Sequence, residues 1–268
     1  MRGGSENTVT ENRSDRIRII DLARVFLRSL SIQSSWNFSR MQNIGFVYAL
    51  GPVVRRLGKS EGKKRAMLMR HVDFFNSHPY FSAPIVGSVV KLEEECIGRD
   101  DCQSVVEMKT TLMSPYAAVG DPFFWGAMKP MAAVVGVLMA CKGFVLAPLV
   151  FLLLYNSVHI WFRLKGFIEG YRDGMGAFEF IGSMMMADKI RKIKWVAVLA
   201  LAALTSVIME NLSFSIAGIG DVGARLLMLP VILICVFMMR KGVSVLTILY
   251  GSMCLVLVFS LLQVSGNL

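Results

Sequence analysis

Five apolar segments follow one another closely in the second half of the chain, and they constrain the fold more than any other feature. They are residues 126–141, 144–162, 195–209, 226–239 and 243–262. The first two are short for simple spans but adequate if they pair as a hairpin or tilt. With 54% hydrophobic and 18% charged residues, an ordinary soluble domain is excluded. We therefore predict an all-α, polytopic integral membrane protein.

The basic residues act as topology signals in this interpretation. A formal net charge of +10 could indicate a nucleic-acid partner, but no Lys/Arg-rich run is interleaved with aromatics. Most basic residues instead flank apolar segments. The clusters at 189–194 and 240–241 are separated by two of these segments, so the positive-inside rule predicts that both lie in the cytoplasm. We expect no nucleic-acid partner, and a C-terminus on the outer side.

The chain divides by composition into three regions. Residues 1–16 are polar without an apolar signal core, which predicts a disordered cytoplasmic tail. Residues 17–125 are predicted to form amphipathic and re-entrant helices that carry polar motifs, and residues 126–268 form the transmembrane helical region. Helices are expected over 17–30, with a basic face on an anionic leaflet, over 36–56 with a kink at Gly51-Pro52, and from Lys63 to about Ser77.

The segment 74–79, Phe-Phe-Asn-Ser-His-Pro, places polar groups in a chain composed for lipid. In such a chain a polar cluster is a functional hypothesis. Pro79 disfavours helix at His78, so the segment is predicted to end a helix, where Asn76, His78 and free backbone groups could bind sugar hydroxyls. Ordinary helix termination is an equally weighted alternative. Residues 82–95 are predicted to form the next helix, with Glu93, Glu94 and Glu95 in its last turn. Acidic residues there oppose the helix dipole, and either an external partner or exposure to solvent would explain them.

A second polar motif is Gly120-Asp121-Pro122. Asp121 suits an N-cap and Pro122 the first helical position, so a helix is predicted to begin there. Either capping alone explains Asp121, or the helix starts at membrane depth and directs its positive end at a polar solute. The flanking Lys109 and Lys129 are expected to snorkel to the interface.

The five cysteines predict neither a disulfide framework nor a metal site. The cysteines are Cys96, Cys102, Cys141, Cys235 and Cys254, and they include no CxxC pair. The last three lie inside apolar segments, where thiols pack as small hydrophobes. We expect no cofactor.

Four motifs in order identify a family resemblance. They are residues 35–46 (SWNFSRMQNIGF), 74–79 (FFNSHP), 83–87 with 92–95 (APIVG and LEEE) and 120–126 with 129–130 (GDPFFWG and KP). Together they resemble the IID subunit of mannose/fructose/sorbose-family permeases of the phosphotransferase system. The resemblance is specific over about residues 25–174. In the C-terminal region it is limited to the apolar character of the segments.

The resemblance implies a non-catalytic subunit of a bacterial inner-membrane complex. In such a complex IID pairs with a similarly folded IIC subunit, the IIC/IID pairs assemble into larger oligomers, and a hexose or amino sugar passes to IIB for phosphorylation. Phosphate travels from phosphoenolpyruvate through the general carriers to histidines on IIA and IIB, and IID carries none. The polar members of the matched motifs are the candidate substrate-binding residues: Gln42, Asn76, His78, Glu93, Glu94 and Asp121.

Three functions remain open from the sequence. The first is a transport subunit whose polar side chains line a largely apolar sugar cavity. The second is a membrane phosphotransferase in which His78 accepts phosphate, although family members also carry Gln at the matching position. The third is a membrane interaction protein without a transport role. The sugar itself is not encoded by motif spacing.

Overall fold

The computed structural model describes residues 16–97, 102–174, 187–211 and 221–266, and within them the regular structure is helical. The predicted all-α class is confirmed. The predicted tail at residues 1–16 lies almost wholly outside the described residues. The chain divides into two compact units, residues 1–204 and 205–268. The candidate residues all belong to the first unit.

The first unit begins with helix α1, Ile19–Ser29. Asp21, Val25 and Ser29 are its buried residues, and their four-residue spacing places them on one face. Ile19 and Ile20 are exposed, so part of the apolar surface of this helix has no partner among the described residues. The predicted amphipathic helix is confirmed, two residues shorter at its start and one at its end.

Helix α2, Asn43–Leu57, begins seven residues later than predicted. Residues 37–41 instead form a turn, because the Asn37 side chain accepts a hydrogen bond from the Arg40 backbone N–H at 2.8 Å. Side chains of this type compete with helix formation by binding nearby backbone groups. Pro52 lies inside α2, at the predicted kink position.

Helix α3, Glu61–His71, ends earlier than predicted. Ser60 caps its start by accepting a hydrogen bond from the Lys63 backbone N–H. The predicted helix to Ser77 is wrong, because the chain after His71 pairs with the preceding turn: Phe75 forms a parallel bridge with Met41, and the Gln42 N–H donates to the Phe75 carbonyl at 2.8 Å. Tertiary pairing replaces the helical hydrogen bonds there.

Helices α4, Ser82–Glu95, and α7, Ala147–Asp173, form the central pair of the first unit. The prediction of a helix over 82–95 is confirmed. Close approach of the two backbones requires small residues at the crossing. A Cβ at Gly87 would overlap the Phe167 carbonyl, and one at Gly170 would overlap the Pro84 carbonyl. The glycines therefore permit the packing that places polar α7 side chains beside the segment 74–79.

One interrupted helix runs from Gln103 to Cys141. It consists of α5, Gln103–Gly120, a π-helical segment, Asp121–Met128, and α6, Lys129–Cys141. The predicted helix start at Asp121 is wrong: this residue has φ −60° and ψ −52° within a continuing helix. Pro122 has no N–H and crowds the preceding turn, and the wider π-helical turn accommodates it. The helix therefore continues through Asp121, with a π-helical segment at this point.

Two described helical stretches are long and apolar enough to cross a membrane: Gln103–Cys141, with 39 residues, and Ala147–Asp173, with 27 residues. A tight turn with Gly143 at φ 77° joins them, and α6 packs on α7. Of the two alternatives left open by the sequence, pairing as a hairpin or tilting, the structure shows the hairpin. The remaining helices are α8, Ala187–Asn211, α9, Asp221–Arg240, and α10, Val245–Gly266. Their apolar composition agrees with the last three predicted segments.

Candidate functional site

Two sequence motifs that are distant in the chain meet around His78. The imidazole stacks on the ring of Phe124, with centroids 5.1 Å apart and planes 11° apart, and lies edge-on to Trp125 at 5.2 Å. A Cβ at Gly120 would overlap the His78 side chain, so the glycine permits this contact. We define the His78 cluster as the following residues: His78, Tyr80, Phe124, Trp125, Tyr155, His159 and Arg163.

The segment that carries His78 is held by side chains from three elements. Gln42 is 2% exposed, and its amide donates to the Ser77 carbonyl at 2.9 Å and accepts from the Ser77 N–H at 3.3 Å. Ser82 donates its hydroxyl to the Pro79 carbonyl at 2.8 Å. Arg163 donates to the same carbonyl at 2.8 Å. The backbone on both sides of His78 is therefore fixed.

His78 presents a buried donor that no described group accepts from. Its Nδ1 accepts from the Tyr80 backbone N–H at 3.3 Å, which places the proton of the neutral ring on Nε2. Nε2 is buried without a hydrogen-bond partner among the described residues. Burial, then the charge of Arg163 and the proximity of His159, lower the pKa of His78 to about 3. The ring is consequently a neutral N–H donor at physiological pH.

Helix α7 supplies polar residues to the cluster that the sequence reasoning missed. Tyr155, His159 and Arg163 recur every four residues and so share one helix face. Arg163 is 5% exposed and its guanidinium carbon lies 4.8 Å from the centre of the Tyr80 ring. Polar residues at helical spacing within an apolar segment are the signal that could have found them.

Further contacts join these α7 side chains to Tyr80. The Tyr155 hydroxyl donates to the Tyr80 hydroxyl at 3.2 Å, and the His159 ring stacks on the Tyr80 ring at 4.2 Å. His159 Nε2 and Asn156 Oδ1 are 2.8 Å apart. Like His78 Nε2, His159 Nδ1 and Arg163 Nε are buried without a hydrogen-bond partner in the described part of the chain. Three unsatisfied nitrogens in one cluster are an unusual concentration.

Asn76 and Asp121 lie at the exposed margin of this cluster. Each is within two residues of the contact between His78 and Gly120, and both side chains are exposed. Trp125 is 49% exposed beside them. The cluster thus combines buried aromatic faces and donors with an exposed polar edge.

Glu93 and Glu94 lie away from the His78 cluster, at the other end of α4. They lie eleven and twelve residues beyond Ser82 in α4, which at 1.5 Å per residue is about 17 Å along the helix axis. Glu93 is 4% exposed and its Oε1 lies 2.8 Å from His71 Nε2 and 3.6 Å from Arg70 Nε. Glu94 accepts from the Ile17 N–H at 2.9 Å and the Tyr171 hydroxyl at 2.8 Å. Both carboxylates already have partners within the chain.

Two expectations about individual residues are wrong. Lys109 does not snorkel: it is 0% exposed, its Nζ lies 5.8 Å from the centre of the Phe46 ring, and this atom has no hydrogen-bond partner among the described residues. Cys96 and Cys102 form a disulfide, with Cα atoms 5.9 Å apart. Cys96 follows directly after α4 and Cys102 directly precedes α5, so the packing of these helices brings the thiols together. Among described residues, no group of three or more His, Cys, Asp or Glu side chains forms a metal site.

Curated relatives with this sequence pattern are components of sugar permeases. The mannose-specific EIID component of Escherichia coli K12 is 41% identical over 166 residues, 60% of this chain and 58% of the relative. The fructose permease IID component of Bacillus subtilis is 29% identical over 254 residues, 86% and 91% of the two chains. The chain thus matches less than two thirds of the length of the E. coli relative and most of that of B. subtilis.

Solved structures agree with this similarity. A chain in the cryo-electron microscopy structure of the mannose transporter ManYZ with microcin E492 has a TM-score of 0.57 and 29% identity, over 94% of this chain and 97% of that one. A second structure, described only as a membrane protein, has a TM-score of 0.72 and 30% identity over the same shares. The sequence pattern that defines the mannose/fructose/sorbose-family IID component of the phosphotransferase system matches residues 16–265 of this chain. The chain therefore belongs to this family of membrane proteins.

Proposed function

We propose that this chain is the non-catalytic, membrane-embedded IID subunit of a sugar-transporting phosphotransferase system. It takes a hexose or amino sugar across the membrane for phosphorylation by IIB. The family match over residues 16–265 and the names of the mannose and fructose relatives support this function. The chain lies in the bacterial inner membrane as a multi-pass protein, with IIA and IIB as cytoplasmic partners.

The membrane partner in this proposal is a IIC subunit. The ManYZ transporter, which contains a structurally similar chain, supports pairing of this kind. Within the chain, Asn76, Asp121 and Trp125 leave an exposed edge on the His78 cluster, which suits a cavity completed by a second subunit. Pairs of IIC and IID then assemble into a larger oligomer.

The buried Nε2–H of His78 is the observation that carries the assignment of the sugar site. A buried donor without an acceptor is costly, and a sugar hydroxyl or ring oxygen would satisfy it. Trp125, which is 49% exposed, provides an apolar face beside His78, as is usual in sites that bind small polar molecules with a few placed hydrogen bonds.

The candidate residues divide into three roles in this proposal. His78, Asn76 and Asp121 contact the sugar. Gln42 is a positioning residue, because both ends of its amide are paired with the Ser77 backbone. Glu93 and Glu94 hold α4 against α3, α7 and the segment before α1, and they act on the site only through the fold.

His78 is poorly arranged to accept phosphate. Its Nδ1 lone pair accepts from the Tyr80 N–H, and its Nε2 carries the proton of the neutral ring, so neither nitrogen has a free lone pair for attack on phosphorus. A phosphoryl donor on another protein would need access to one of these atoms. The geometry favours a hydrogen-bond donor.

Substitutions of His78 test the proposal against a phosphotransferase function. His78→Gln keeps an N–H donor and should keep sugar uptake, with no label from 32P-phosphoenolpyruvate on this chain. His78→Phe keeps an aromatic ring without the donor and should weaken sugar binding about tenfold, the usual effect of one lost hydrogen bond at a buried site. Label on the wild-type chain that disappears in His78→Gln, together with loss of uptake, would favour the enzyme instead.

Two controls separate sugar contact from assembly. Asn76→Ala should reduce uptake while co-purification with the IIC subunit stays normal. Uptake that persists when this chain is deleted and IIC is present would contradict any transport role.

A further inference from the structure

A cavity lies apart from the His78 cluster and remains unexplained by sugar transport. Its volume is about 450 Å³, within the range of small-molecule sites. The end of α2, helix α3, the end of α4 and Cys102 form its walls. Its lining residues are Leu57, Lys59, Lys63, Ala66, Met67, Arg70, Glu93, Cys96, Ile97 and Cys102.

The polar lining of this cavity is mainly cationic. Lys59, Lys63 and Arg70 line it, and Glu93 is the carboxylate among the described lining residues. Lys59 has a partner of its own, so the cavity offers a ligand the charges of Lys63 and Arg70. The Glu93 carboxylate is already engaged by His71 at 2.8 Å and by Arg70 Nε at 3.6 Å. The cavity therefore offers an excess of positive charge to a ligand.

Arg70 retains an unused donor beside the cavity. Its Nε side faces Glu93, whereas its Nη1 is buried and has no hydrogen-bond partner among the described residues. A guanidinium group presents several N–H donors in one plane and binds phosphate oxygens in pairs. Glu93 lies against one edge of this plane, and the Arg70 side chain also lines the cavity, where it can meet an oxyanion.

The remaining lining is apolar and leaves room for more than an inorganic ion. Leu57 and Met67 are buried, and the Cys96–Cys102 disulfide forms part of the wall. We propose that this cavity binds a phosphomonoester, with Arg70 and Lys63 holding the phosphate and the apolar wall contacting its organic part. The same chemistry is found on a soluble organic phosphate and on the headgroup of phosphatidic acid.

Calorimetric titration of the purified full chain in nanodiscs of zwitterionic lipid tests this site. The probe is glycerol 3-phosphate, and glycerol is the uncharged control ligand. We expect the phosphate to bind and glycerol not to bind. Arg70→Gln should weaken binding at least about tenfold, because hydrogen bonds to charged groups have that effect. The matched control is Arg65→Gln, an exposed arginine of α3 outside the cavity lining, with a change below about twofold.

Lys63→Gln covers the case in which loss of Arg70 disturbs folding. Lys63 is exposed, so its substitution should preserve the fold and still weaken binding, with a weaker dependence on salt. Nanodiscs that contain phosphatidic acid identify the source of the ligand: competition with glycerol 3-phosphate assigns the lipid headgroup, and undiminished binding assigns the soluble compound. Absence of glycerol 3-phosphate binding, or equal affinity in wild type, Arg70→Gln and Lys63→Gln, would overturn the site.

Discussion

His71 and His78 are seven residues apart and both are 1% exposed, yet their ring nitrogens are hydrogen-bonded in different ways. His71 places Nε2 against the Glu93 carboxylate, which leaves its other nitrogen as an unpaired acceptor when the ring is neutral. His78 receives the Tyr80 N–H at Nδ1 and retains an unpaired donor. Unpaired buried N–H groups are rarer than under-used acceptors. Burial alone therefore does not distinguish a structural histidine from a binding one, whereas the unsatisfied donor does.

The surroundings of the two rings reinforce this difference. His71 belongs to an ionic group with Glu93 and Arg70, where charges are balanced within the chain. His78 lies among aromatic rings at a contact between two motifs, with exposed polar residues beside it. The ionic group is expected to control stability, and the aromatic cluster is expected to control sugar binding.

Gly120→Ala should produce the largest effect on transport. The added methyl group would overlap the His78 side chain and separate the two motifs. We expect uptake to fall to background. Gly126→Ala is the matched control in the same interrupted helix, because its nearest side-chain contact would be Lys194 at 3.7 Å, an ordinary packing distance. Radiolabelled sugar uptake, normalised to the amount of assembled protein, compares the variants. Equal uptake in both would contradict a sugar site at this contact.

Glu93→Gln should instead reduce stability and leave the sugar site intact. It removes the charge from a carboxylate that is 4% exposed and engaged by Arg70, a change of a kind that costs about 3 kcal/mol. Thermal unfolding in detergent measures the loss, and sugar affinity per folded molecule should equal that of the wild type. Glu95→Gln, at a side chain that is 49% exposed, is the control with little expected change. A selective loss of sugar affinity in Glu93→Gln would place this carboxylate in the binding site.

Acidification should lower the stability of the folded chain through both buried histidines. Burial lowers the pKa of each, so below the unfolded value near 6.5 the unfolded chain takes up more protons than the folded one. Stability is thus complete above about pH 6.5 and falls as the pH drops toward the His78 pKa of about 3. Glu93 opposes the shift at His71, whereas the causes at His78 all act in one direction. Unfolding midpoints between pH 7 and 5 should decline less in His78→Gln than in wild type; an unchanged decline would contradict the neutral, buried ring.

Much of the fold could be predicted from periodicity and composition. The helices over 19–29 and 82–95 and the apolar hairpin form where the hydrophobic pattern of their own segments indicates them. The errors occur where distant contacts decide local structure. Phe75 is not helical because its backbone pairs with Met41, and the helix continues past Pro122 because a π-helical turn accommodates the ring. Neither event has a signal within a local window of sequence.

The candidate site was predicted in part for the same reason. The motifs that contain His78 and Asp121 were identified, and the structure brings their backbones together. Tyr155, His159 and Arg163 were missed because they were assigned to an apolar span and the start of a polar stretch, although they form one face of α7. Glu93 and Glu94 were grouped with the site by motif, yet their partners are His71, Ile17 and Tyr171.

The Cys96–Cys102 disulfide should contribute the smallest effect. It closes a short loop, for which chain-entropy arguments give about 2 kcal/mol. Cys96→Ser/Cys102→Ser should lower the unfolding midpoint and leave sugar affinity unchanged. Alkylation before and after reduction, read by mass spectrometry, establishes whether the bond is formed. Two alkylated thiols without reduction would contradict the bond.

Trp125 offers the most direct measurement of the central claim, since it is 49% exposed and its ring centroid is 5.2 Å from that of His78. In the assembled complex, with the other tryptophans of this chain and those of the IIC subunit replaced by Phe, mannose, fructose and sorbose would be titrated while Trp125 emission is recorded. A saturable change with the transported sugar, weakened by His78→Phe and retained in His78→Gln, is the predicted result. Unchanged emission while radiolabelled sugar binds the same sample would contradict a sugar site at His78.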